Sequence, residues 1–63
     1  MYYLSIFEPN RKSPLETVTV TNAAEVLTTI PTLFAQHPGC ERVEVRLDTT
    51  HLFSIDCAGN RIG

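Results

Sequence analysis

Asn22-Ala23-Ala24-Glu25-Val26-Leu27-Thr28-Thr29-Ile30-Pro31-Thr32-Leu33-Phe34-Ala35-Gln36 is the one stretch of this sequence with a helical period. Advancing 100° per residue from Ala23 gathers Val26, Leu27, Ile30, Leu33 and Phe34 into an apolar stripe roughly 120° wide. Glu25, Thr28, Thr29, Thr32 and Gln36 fall opposite. Asn22 can accept from the first free amides, and Glu25, three residues on, can reach back as in a capping box. Pro31 removes one backbone donor and disfavours helical geometry at Ile30. The stripe keeps its phase through Phe34, so the reading is one helix kinked at Pro31. His37-Pro38-Gly39 ends it.

On both sides of this segment the period changes to two. In Met1–Glu8, Tyr2, Leu4 and Ile6 point one way and Tyr3, Ser5 and Phe7 the other. Pro9-Asn10-Arg11-Lys12-Ser13-Pro14 breaks the pattern as a loop. Leu15–Thr21 alternates again, with Val18 and Val20 in an apolar row and Thr17, Thr19 and Thr21 in a hydroxyl row suited to water. After the helix, Val43, Val45 and Leu47 alternate with Arg42, Glu44 and Arg46. Asp48-Thr49-Thr50 turns the chain without the glycine a tight hairpin loop favours. His51–Cys57 returns, with Phe53, Ile55 and Cys57 on one face and Leu52, Ser54 and Asp56 on the other. Ala58-Gly59-Asn60 is a turn, and Arg61-Ile62-Gly63 a short edge extension. There is no repeat, linker or low-complexity tract.

The order is β-β-α-β-β: a single α+β domain over 1–63, a four-stranded, mainly antiparallel sheet with the Pro31-kinked helix on one face. The expected core is Leu4, Ile6, Val18, Val20, Val26, Leu27, Ile30, Leu33, Phe34, Val43, Val45, Leu47, Phe53 and Ile55. One helix cannot cover two faces. The face left open carries Tyr3, Ser5, Phe7, Thr17, Thr19, Arg42, Glu44, Arg46, Leu52, Ser54 and Asp56. Tyr, Phe and Arg are enriched at protein interfaces. Tyr3, Phe7, Arg42, Arg46 and Leu52 are therefore the expected partner-binding residues. The competing reading is a solvated face on which Arg42, Glu44 and Arg46 pair across strands.

Composition narrows the function classes. The chain has 63 residues, 43% of them hydrophobic, with five Lys/Arg against seven Asp/Glu, a net charge of −2. That is a globular share, too neutral for a polybasic nucleic-acid binder. No apolar run is long enough to span a bilayer, and no secretory leader pattern opens the sequence. The two cysteines, Cys40 and Cys57, then read as free thiols in a cytoplasmic protein. A domain this size buries only about 60% of its unfolded surface. Without a staple, self-association is the natural source of further burial.

Chemistry finds little purchase. His37-Pro-Gly-Cys40 has the spacing of half a zinc knuckle, but His51 and Cys57 lie roughly 20 Å apart on one extended strand. No metal or cofactor is expected. Cysteine, histidine and aspartate are present for a nucleophilic triad, but no local signature surrounds either cysteine. No glycine-rich loop leads into a helix to cradle a phosphate. The expectation is a non-catalytic, protein-binding domain that self-associates as a homodimer and acts stoichiometrically through its open face or an edge strand. Two alternatives accompany it. One is a phage- or mobile-element-type inhibitor of a host defence complex, anti-CRISPR-like by size alone. The other is a sheet that binds single-stranded nucleic acid weakly through Tyr3, Phe7 and the arginines.

Overall fold

The computed structural model describes residues 1–63. It has strands β1 (Tyr2–Phe7) and β2 (Glu16–Val20), helix α1 (Ala23–Gln36), and strands β3 (Arg42–Leu47) and β4 (Thr50–Asp56). The sheet order is β2-β1-β3-β4 and every neighbouring pair is antiparallel. β2 and β3 therefore run parallel to each other with β1 between them. This is the expected α+β architecture.

Helix α1 runs without interruption through Pro31. The proline withholds one amide from the Leu27 carbonyl, and Leu27 is 69% exposed, so water can serve that carbonyl instead. The Asn22 side chain accepts from the Glu25 amide at 2.9 Å and donates to the Glu25 carboxylate at 2.9 Å, the reciprocal cap expected. The His37 amide donates to the Leu33 carbonyl at 3.0 Å and closes the last turn. The connection between β3 and β4 is only Asp48-Thr49. Asp48 takes φ 55° there, a conformation aspartate tolerates better than most residues, which is how the turn manages without glycine.

The core lies between α1 and the sheet. Leu4, Ile6, Val20, Val26, Ile30, Leu33, Val43 and Val45 are buried together with Cys40, and Val18, Phe34, Phe53 and Ile55 pack at its margin. Leu27, expected in the core, is not there: α1 packs on β1 and β2, and Leu27 lies on the flank toward β4, where it stays exposed.

The cysteines are not free thiols. Cys40 and Cys57 are joined as a disulfide with Cα atoms 6.1 Å apart. Cys40 enters β3 and Cys57 leaves β4, and β3 pairs with β4 up to Arg42 and Asp56. The antiparallel register thus carries two positions 17 apart in sequence to one end of the hairpin. Spacing alone cannot show that meeting.

Candidate interaction face

The face away from α1 is ordered by the register. Tyr3 lies opposite Thr19 on one side and Arg46 on the other, and Arg46 lies opposite His51. One row, Thr19–Tyr3–Arg46–His51, thus crosses all four strands. The next row is Thr17–Ser5–Glu44–Ser54, with the Ser5 and Thr17 hydroxyls 3.0 Å apart. Beyond it Phe7 lies opposite Arg42, and Arg42 opposite Asp56.

The two arginines have different employment. The Arg42 guanidinium stacks over the Phe7 ring, 4.2 Å from its centroid. Its Nε donates to Glu44 at 2.8 Å and its Nη1 to Glu41. The Glu44 hydrogen bond holds the guanidinium above its already high ordinary pKa, against a smaller opposing cost of burial. Arg42 therefore carries its charge at every biological pH, and its Nε and Nη1 are committed within the chain. Arg46 is exposed and pairs with no carboxylate. Tyr3 beside it is half-buried, and Thr19 and His51 are exposed.

Two expected members of the face are placed elsewhere. Phe7 is 8% exposed, its ring covered by the Arg42 guanidinium. Leu52 has left the face. Phe53 pairs with Val45 and His51 with Arg46, so Leu52 is the extra residue of a β-bulge. It joins Tyr2, Ala23, Val26, Leu27, Val45 and Phe53 around an apolar cavity of about 250 Å³ on the helix side. The same bulge brings His51 onto the open face, whereas strict alternation would place it with Phe53 on the helix side. Of the expected partner-binding residues, Tyr3 and Arg46 stay free on the face, and Arg42 stays there as a clamp.

The His51 Nε2 and Ser54 Oγ are 2.9 Å apart, the separation of a nucleophile and its base. Their surroundings are structural. Ser54 is 7% exposed, its amide donates to the Gly63 carbonyl and its carbonyl accepts from the Ile62 amide. No carboxylate hydrogen-bonds the imidazole, and the cavity lies on the other face. No group of three or more His, Cys, Asp or Glu side chains is arranged to hold a metal ion. No helix is long and apolar enough to cross a membrane.

No protein-family model, curated protein or solved structure matches this chain.

Proposed function

We propose that this chain is a non-catalytic protein-interaction domain that binds a partner stoichiometrically through the open face of its sheet. The observation that carries the reading is the in-register row Thr19–Tyr3–Arg46–His51, in which Arg46 is the cation left unpaired while Arg42 is spent on Phe7, Glu41 and Glu44. A guanidinium fork beside an aromatic ring suits a carboxylate-bearing protein surface. The row supplies one uncommitted arginine for nucleic acid, too few for a phosphate track. A persistent Cys40–Cys57 bridge favours an oxidising compartment over the reducing cytoplasm.

The test is capture from the native cell with wild type and with Tyr3→Ala/Arg46→Glu, each at equal amount and with unchanged circular dichroism. The variant should lose at least about tenfold of the wild type's specific partner, a loss on the hot-spot scale. Equal recovery of the same partner by both proteins would overturn the assignment to this face.

A further inference from the structure

The two edges of the sheet are treated differently. Along β4 the edge is closed: Ser54 exchanges main-chain hydrogen bonds with Gly63 and Ile62 at 2.9 Å, the Asp56 amide donates to the Asn60 carbonyl at 2.9 Å, and Ile55 bridges Arg61. The bulge at Leu52 interrupts the same strand. Along β2 nothing of the kind exists. Glu-Thr-Val-Thr-Val has no lysine, no proline and no bulge, and no strand lies beyond it. Its valines and threonines have high strand propensity. Strand edges in stable proteins are guarded or covered. At this edge the only such guard within the five-residue strand is Glu16 at its first position, and no segment covers it.

We infer that β2 pairs antiparallel with β2 of a second copy, about a two-fold axis at Val18, to form one eight-stranded sheet. Val18 is the middle residue of Glu16–Val20, so this register alone pairs all five positions. Val18 then meets its own counterpart, each Thr17 meets a Thr19, and each Glu16 meets a Val20. On the helix side Val18 meets Val18 between two Glu16–Val20 pairs, and on the other side threonines meet threonines. Glu16 is the only charge in the strand. The two copies of it lie about 14 Å apart along the paired strands, more than a screening length in physiological salt.

The contact is about 17 Å long and about 20 Å deep through sheet and helix, on the order of 340 Å² per copy. That is below the roughly 800 Å² of a standard interface, so the dimer is reversible. The axis stands normal to the sheet, so both helices share one side. The two Tyr3–Arg46 rows then share the other. The inference rests on β2 alone and does not need the open-face reading.

The experiment is sedimentation velocity and light scattering on the isolated, disulfide-bonded protein from micromolar to millimolar concentration. Wild type should move from a 7.0 kDa monomer to a dimer. Thr17→Lys/Thr19→Lys should weaken the dimer at least about tenfold, because each substituted position faces another cation. Thr17→Glu/Thr19→Glu should do the same with anions. An equimolar mixture of the two variants should recover a dimer at least about tenfold tighter than either alone. A monomer at every concentration, or a dimer indifferent to all three arms, would overturn the inference. If one variant fails to fold, concentration-dependent protection of the β2 amides in wild-type hydrogen exchange decides it: unchanged protection counts against pairing. Failure here leaves the Tyr3→Ala/Arg46→Glu result untouched, and the reverse also holds.

Discussion

Reducing the Cys40–Cys57 bridge should cost this protein a large share of its stability. The cysteines are 17 positions apart. The chain-entropy relation gives about 11 cal/mol/K for a loop of that length, or about 3 kcal/mol at 25 °C. A domain of this size has roughly 3–9 kcal/mol in total. Removing the cross-link should therefore lower the melting temperature by roughly 12–24 °C. With a urea slope of about 1 kcal/mol/M, the midpoint should fall by about 3 M. The assay is urea unfolding followed by circular dichroism, with and without a phosphine reductant, and free thiols counted before and after. Reduced wild type isolates the cross-link from packing. Cys40→Ala/Cys57→Ala should lie at or below it, because Cys40 is also part of the core. Oxidised and reduced curves within about 0.5 kcal/mol of each other would refute the reasoning. The bridge would then not be what holds this small core together.

Two further substitutions test the packing. Leu33→Ala, at a position 1% exposed, should cost about 2–5 kcal/mol, whereas Leu27→Ala should cost under about 0.5 kcal/mol. Equal losses in urea titrations would mean that α1 is rotated toward β4. Arg42→Lys should cost about 1 kcal/mol in the same titrations, because an ammonium cannot lie flat over Phe7 and span Glu41 and Glu44 together. No loss would show that the stack contributes nothing to holding Phe7 down.

An interaction face and a guarded edge impose different demands on the same sheet. Arg42 shows how the first is met. Left bare, Phe7 would be a large apolar group on a solvent face. The guanidinium covers it, and the two carboxylates hold the guanidinium in place. With Phe7 covered, Tyr3 and Arg46 are the residues of the face on which the proposed partner contact rests. The β4 edge meets the second demand with residues 60–63 folding back along it. β2 has no segment folded back along it.

Element types and facing were legible from the residues because they are local. A period of two or of 3.6 is carried by each segment alone, so the helix, the four strands, the capping box and most of the core follow from Asn22, Glu25, Val26, Ile30, Leu33 and the alternating valines. Tertiary structure decided what depends on pairing between segments. The bulge at Leu52 adds one residue to β4, and because side chains alternate every residue, that single step sends Leu52 to the helix side and His51 to the open face. The cysteine bridge depends on which ends of β3 and β4 meet, and Phe7's burial on which arginine stands opposite it. Which edge is covered depends on where residues 60–63 fold back. Each of these is a through-space relation between residues far apart in the chain, and periodicity within a segment holds no information about it.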